Sequence, residues 1–376
     1  MPEQNRNRRP DGGESARRGL VYRGVSYDTG CNFATGQGPL SRAVWSRARM
    51  EEEIGAISDR LNCNSVTIYG SDFGRLSDTV AAAVERRLHV WLQPRLVDRP
   101  QPETLDHLAE GARLAESFRR LGADIHYSIG CAHQIMTTGI VPGDQYHERM
   151  ANLFTNADHH FLKPTGGYDR GDAATRLNAF LAQAAEIARK LFAGELIYSA
   201  GNFEDVDWKL VDYVGLTYYY SHHPTKEGHA REIGGYRKWG KPIVISEYGC
   251  PAYDGAEERG LLAFDVVDRS KPIPTVFEGY VRDEKVQAEY HLRMLAMFTE
   301  LGVHSAAIAE FIHPTHPHSA DPKYDLDIAS WALTKTIRAD YLDWASPYRW
   351  EPKEAFYAVG RYYAAAAQRE LTAGED

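Results

Sequence analysis

The sequence predicts an α/β fold: a single (β/α)8 TIM barrel with long loops after its strands. Three observations carry this expectation. Short apolar runs alternate with longer amphipathic segments, about eight such pairs occur in order, and no GxGxxG follows the first run. The last point argues against a doubly wound open sheet. At 376 residues the chain is long enough for two or three domains of ~150 residues, but barrels of this length fold as one unit. Hydrophobic residues make up 43% and charged residues 25%, enough apolar side chains for one large core.

The expected strands are Gly24–Tyr27, Ser65–Tyr69, His89–Pro94, Ile125–Ile129, Leu196–Ser199, Tyr213–Tyr218, Pro242–Ser246 and Ala306–Phe311. Several are bounded by Gly or Pro and are rich in Val and Ile, as strands covered on both faces should be. Helices are expected between them. Leu105, Leu108, Ala112, Ala115, Phe118 and Leu121 recur at spacings of three and four, as do Leu177, Phe180, Ala184, Ile187 and Leu191. Tyr290, Leu292, Leu295, Met297, Phe298 and Leu301 form a broader stripe. The longest loops, Gln134–Arg176 and Cys250–Tyr280, are of the length that carries function.

Residues 1–19 are polar, contain Arg6, Arg8, Arg9, Arg17 and Arg18, and lack the apolar stretch of a secretory signal; they read as a disordered tail. Residues 371–376 read as a disordered C-terminus, leaving 20–370 as the barrel. No apolar run approaches the ~18 residues that span a bilayer. Cys31, Cys63, Cys131 and Cys250 show no CxxC spacing, so a cytoplasmic, reduced protein is expected. A net charge of -9 is the wrong sign for a nucleic-acid binder. The 22 Tyr and 7 Trp suit stacking on sugars or on a barrel core.

Barrel chemistry sits where strands end. That rule selects Asp28, Tyr69 and Asp72, Gln93 and Arg95, Cys131 to Gln134, Asn202, Glu204 and Trp208, the run from Tyr218 to Tyr220 with His222, Glu247 and Tyr248, and Glu310 with His313, His316 and His318. Glu247 is the sharpest of these: KPIVISEYG is a hydrophobic strand that ends in a carboxylate. Such a group is costly to bury unless it is paired or functional. It reads as a nucleophile or electrostatic stabiliser, with an ion pair to Arg95 as the structural alternative.

ISEYG closing the seventh strand and VDYVGLTYYY as the sixth resemble the TIM-barrel retaining glycoside hydrolases, whose two catalytic glutamates end strands four and seven. The span from about Tyr22 to Tyr363 further resembles a group of actinobacterial glycosidase-like barrels often labelled abortive infection proteins. SIGCAHQIMTTGIVPGD, YSAGNFEDVDW, KPIVISEYGCPAYDGAEERG, PHSADPKYDLDIASWALTK and WEPKEAF carry that likeness. The resemblance implies displacement at an anomeric carbon through a glycosyl intermediate on Glu247, acting on a small-molecule or oligosaccharide substrate with no cofactor.

One position departs from the pattern. Where those relatives read GCE, this chain reads Gly130-Cys131-Ala132, and Ala132 cannot transfer a proton. Three explanations stand. Ala132 replaces an acid removed by engineering; or the acid is relocated to Glu310 or His133; or hydrolysis is lost. Loss would leave a carbohydrate-binding pseudo-enzyme, or a cyclase, lyase or transferase acting on a small, glycosylated metabolite.

Asp28, Tyr69, Arg95, Gln134, Asn202, Trp208, Tyr218, Tyr220 and Tyr248 are the expected substrate contacts. Asp28 and Arg95 are also able to pair with each other, and Glu310 to support His313 or Tyr218. Trp45 and Trp331 are further stacking candidates, each with core packing as the alternative. HPTHPH is interrupted by proline, so its histidines read as a loop fixed by PKYDLD rather than as metal ligands. His159, His160, His222 and His223 read as rim residues.

Overall fold

The computed structural model describes residues 19–33, 40–154, 169–219 and 225–373. The Arg-rich N-terminal tail, Tyr220 and the two His pairs at 159–160 and 222–223 lie outside these. Eight parallel strands close into a barrel: Tyr22–Asp28, Ser65–Gly70, His89–Pro94, Ile125–Cys131, Leu196–Ala200, Tyr213–Thr217, Ile243–Tyr248 and Ser305–Ile308. Each strand pairs with the next, and the eighth pairs with the first through Tyr22↔Ser305 and Val25↔Ile308. All eight expected strands are present. The seventh runs two residues further than expected, to Tyr248, and the eighth stops three short, at Ile308.

Helices Arg47–Asp59, Phe73–Glu85, Gln101–Arg120, Arg170–Leu191, Lys226–Gly235, Glu284–Glu300 and Glu354–Ala373 surround the barrel. Ser46, Asp72, Asp169, Thr225 and Asp283 start five of them, each side chain accepting a backbone N–H of the first turn. The last helix continues to Ala373, past the expected boundary at residue 370. A single 3-10 turn, Trp208–Leu210, is the helical element between strands five and six. Two short antiparallel pairs escape the sequence pattern: Val267–Asp268 with Thr275–Val276, and Thr334–Arg338 with Tyr348–Pro352. Among the described residues, no helix is long and apolar enough to cross a membrane.

The large apolar core lies between strands and helices, where Val25, Ile68, Leu92, Tyr127, Tyr198 and Ile245 meet Ile54, Val80, Leu108, Phe180 and Phe298. The inside of the barrel is different. Its middle is lined by Thr67, Ser128, Ser199, Ser246 and Ser305 around a cavity of about 10 Å³, room for one water. Ser246 Oγ and Trp91 Nε1 are buried there without a hydrogen-bond partner among the described residues. Its floor is a stack of rings. Tyr22 lies flat on His89 at 3.8 Å, and His126 packs against His89 at 4.5 Å and Trp91 at 4.9 Å. Tyr213 and His304 complete the stack at 5.5 Å from each other.

Burial holds the floor histidines below their ordinary range: His89 is lowered, His126 falls to about 3 and His304 to about 4, the latter two also opposed by charge on His89. The folded state therefore keeps these rings neutral, while the unfolded chain protonates them near pH 6.5. Stability that is full above pH 6.5 should fall progressively as pH drops toward 4. Thermal melting from pH 7.5 to pH 4.5 should show this decline, and a His126→Phe variant should show a shallower one.

Candidate functional site

Strict alternation along the seventh strand sends Val244 and Ser246 into the barrel and should send Glu247 away from it. The register shows why it does not. Leu216 and Thr217 are consecutive on strand six but pair with Ile245 and Glu247; on the other side, Ala306 and Ile308 pair with Ile245 and Tyr248. Strand seven thus carries one extra residue relative to both neighbours, a bulge that re-aims the side chains after it. Strand four carries another: Ser128 and Cys131 pair with Ile197 and Ser199.

The two irregularities bring Glu247 and Cys131 together, the Cys131 thiol donating to Glu247 Oε1 at 3.9 Å. Burial, then the Glu247 charge, pushes the Cys131 thiol up, so it stays protonated. Arg95 of the strand-three end donates from Nη2 to the same Glu247 oxygen at 2.7 Å and also to Gln93 Oε1. Arg95 is buried, while the Glu247 side chain keeps 13% of its surface exposed. The ion pair to Arg95, the structural alternative for this carboxylate, is therefore made, and it leaves part of the carboxylate exposed. Arg95 does not pair with Asp28. Asp28 instead accepts from the Gly30 N–H at 2.7 Å and the Ser41 hydroxyl at 2.5 Å. Burial and the nearby Glu310 charge raise the Asp28 carboxyl.

Tyr69 links the two sides of the mouth. Its ring lies under the Arg95 guanidinium at 4.1 Å, and its hydroxyl donates to Glu310 Oε2 at 2.7 Å. Glu310 Oε1 lies 2.6 Å from His313 Nδ1. Burial works against charge on Glu310, but the His313 ring, the Tyr69 hydroxyl and Arg95 outweigh it and hold the carboxyl below its ordinary value. Glu310, an expected candidate for a relocated acid, is thus fixed between Tyr69 and His313.

His133, the other candidate, sits behind the strand, stacked on Tyr198 at 5.6 Å and against Phe180 at 4.7 Å, with Nδ1 on Thr137 and Nε2 on the Ile129 carbonyl. Both nitrogens are engaged, and burial lowers its pKa to about 4. Gly130 is the glycine this arrangement requires: its φ is +122°, and a Cβ there would lie 2.0 Å from His133 Nε2. Ala132 follows in the left-handed region at φ 44°, its N–H bound to the Ser199 carbonyl.

Other expected contacts lie elsewhere. Tyr218 turns outward, its hydroxyl 2.8 Å from His229 Nδ1 and its ring against Phe298; Tyr219 takes the inward place. Tyr219 is buried, 5.1 Å from Trp331, and its phenol is pushed up by burial and by the charges of Glu247 and Glu310. Tyr248 is buried among Tyr290, His291 and Phe298, because the bulge that turns Glu247 inward turns its neighbour outward. Trp208 is buried against Tyr236, its carbonyl taking Lys241 just before strand seven, at the opposite end of the barrel. Trp45 lies beneath Arg42 and Arg75. Asn202 is exposed in the turn after strand five.

Gln134 is buried, and its N–H donates to Glu204 Oε1, while Glu204 Oε2 takes the Tyr198 hydroxyl and the Gly201 N–H. Glu204 and Tyr219 fall among the strand-end residues of the sequence but receive no role there; the strand-end rule is the signal that marks them. His318 pairs with Asp325 at 2.8 Å, and Arg282 with Asp325 and Asp327, so the PKYDLD segment does fix the histidine loop. Among the described residues, no group of three or more His, Cys, Asp or Glu is placed to hold a metal ion.

No family model matches the chain, and no curated protein matches it in sequence. Solved structures share its fold. A GH113 β-1,4-mannanase aligns at 13% identity over 92% of this chain and 99% of its own, with a TM-score of 0.56. The GH113 β-mannanase AaManA from Alicyclobacillus acidocaldarius, in complex with ManMIm, aligns at 15% identity over 92% and 98%, with a TM-score of 0.55. A hyperthermophilic β-glucosidase mutant aligns at 8% identity over 92% and 100%, with a TM-score of 0.52. The (β/α)8 barrel is therefore common to this chain and to glycosidases.

Glu204 ties the loops after strands four and five together through Gln134, Tyr198 and Gly201. Burial raises its carboxyl from the ordinary 4.5 to about 7, against three hydrogen bonds that favour the anion. A raised folded pKa gives stability that is full below pH 4.5 and lost as pH rises through about 7. Compared with a Glu204→Gln variant melted in parallel, the wild type should lose relative stability over that window.

Proposed function

We propose that the protein acts at the anomeric carbon of a carbohydrate by a retaining mechanism, with Glu247 as nucleophile. The carrying observation is the Glu247 carboxylate itself, accessible at the end of barrel strand seven and oriented by Arg95 at 2.7 Å. The shared barrel of the mannanases and the β-glucosidase supports the reading, as does the resemblance of ISEYG and its flanks to retaining hydrolases and to the actinobacterial glycosidase-like group. Glu247 Oε attacks C1 as the C1–O bond breaks, and water later displaces the sugar from Glu247. Tyr69, Arg95 and Tyr219 line the mouth beside it, where a sugar's hydroxyls and apolar face would meet phenol, guanidinium and ring.

Cys131 and Ala132 favour a second reading. With a neutral thiol and a methyl group at the end of strand four, the protein binds a carbohydrate without turning it over. The two readings separate on one variant. Glu247→Gln should lower turnover of 2,4-dinitrophenyl β-mannoside by roughly 10⁴-fold or more if Glu247 is the nucleophile. Wild-type binding without turnover, kept in Glu247→Gln, would favour the second.

Ala132→Glu addresses the missing acid directly. On an unactivated aryl glycoside the variant should gain roughly 10²-fold or more, whereas the dinitrophenyl substrate, whose leaving group needs little protonation, should change little. The comparison is read as kcat/KM for each substrate.

A further inference from the structure

The loops after strands seven and eight carry two cations that the site around Glu247 does not use. Arg269 follows the short strand Val267–Asp268, in the loop after barrel strand seven. It is exposed, and its one hydrogen bond among the described residues runs from Nη2 to His316 Nε2 at 2.9 Å. A guanidinium only donates, so that nitrogen accepts, and the His316 proton sits on Nδ1, 3.1 Å from Thr315 Oγ1. His316 is therefore neutral and holds Arg269 without cancelling its charge. Arg269 Nη1 and Nε are left for a ligand.

Arg338 ends the strand Thr334–Arg338, in the segment after barrel strand eight. Its guanidinium lies 3.9 Å over the Trp344 ring, and Nη2 donates to the Pro314 carbonyl at 2.7 Å. Nη1 is buried with no partner among the described residues. With Ser41, Thr315, Trp344 and Ser346, Arg338 lines a pocket. Asp265 acts on Arg269 and Asp343 on Arg338, but neither forms an ion pair with its guanidinium. The two cations thus flank the segment Pro314–His316, one through the Pro314 carbonyl and one through the His316 ring. In a chain of net charge -9, two such arginines without a carboxylate partner point to an acid that the ligand brings.

This cationic rim adjoins the mouth. The His316 and His313 rings are 4.2 Å apart, and His313 Nδ1 lies 2.6 Å from Glu310, whose other oxygen holds Tyr69. Glu310 is the opposing charge, and the two imidazole rings stand between it and Arg269.

We infer that the rim beside strand eight binds a carboxylate carried by the carbohydrate, so that the preferred ligand is an acidic oligosaccharide containing uronic acid. This rests on the reading of the mouth as a carbohydrate site. The planar fork of a guanidinium meets a carboxylate in two parallel hydrogen bonds, a match that a neutral hydroxyl cannot make.

The test measures binding of β-1,4-linked tetrasaccharides in acidic and neutral pairs, mannuronate against mannose and glucuronate against glucose, by calorimetry on the full chain at low salt. The wild type should bind at least one acidic member roughly tenfold or more tighter than its neutral partner, and the ratio should shrink as salt rises. The ratio should fall toward one when Arg269→Gln and Arg338→Gln are combined, and persist in part when Arg269→Lys and Arg338→Lys are, with folding checked by circular dichroism. A wild-type ratio near one in both pairs, or a ratio kept in the combined Gln variant, overturns the inference. Sodium sulfate identifies a site for free anions only: sulfate that raises the melting temperature of the wild type, without any preference for the acidic sugars, also overturns it. Glu247→Gln keeps the two levels apart. Turnover of aryl glycosides that depends on Glu247, with a binding ratio near one, overturns the acidic rim alone. A preference for the acidic member without turnover overturns the retaining reading alone. Neither turnover nor binding of any tetrasaccharide overturns both.

Discussion

One extra residue in strand seven, and another in strand four, decide what faces the barrel mouth. A parallel strand that alternates without interruption would continue from Ser246 to Tyr248 on the inside and bury Glu247 against the helices. The inserted residue exchanges those two fates. Glu247 meets Cys131 and Arg95 at the mouth, and Tyr248 joins Tyr290, His291 and Phe298 in the outer layer. The register of strand four against strand five brings Cys131 to the same point. Had strand seven been regular, the ion pair with Arg95 would have no carboxylate to hold.

Around that point the charges form a chain. Glu247 is joined to Arg95, Arg95 lies on the ring of Tyr69, Tyr69 bonds Glu310, and Glu310 meets His313. The Glu247–Arg95 ion pair and the Glu310 carboxylate lie along it, with a phenol as the joint. An unpaired buried charge at any link would be costly, so removing one member disturbs the next. The Glu247 carboxylate is thus held from one side by this network. The side facing it, at strand four, carries a thiol and a methyl group.

Much of the architecture was legible in the sequence, because buried parallel strands are apolar runs and the helices between them are periodic. The strand-end rule picks out Asp28, Tyr69, Arg95, Glu247 and Glu310, which the fold brings to the same end of the barrel. It failed where direction mattered. Tyr218 and Tyr248 were placed at the mouth because a run such as YYY or EY does not reveal which side chain turns inward; that depends on pairing register, which one strand alone does not encode. Tyr219 was missed for the same reason. His133 looked available as an acid, but only the packing of Gly130, Tyr198 and Phe180 shows both its nitrogens to be used. Trp208 looked like a strand-five mouth residue, but the chain between strands five and six is too short for a helix and reaches the opposite end within a few residues.

The ring stack of Tyr22, His89, Trp91, His126, Tyr213 and His304 closes the far end of the barrel, and the space above it holds no more than about one water. The barrel is a blind vestibule rather than a conduit. Whatever enters at Glu247 must leave by the same door, past the same residues. A ligand held at the mouth therefore stands in the path of the next, so two ligands of the mouth exclude one another.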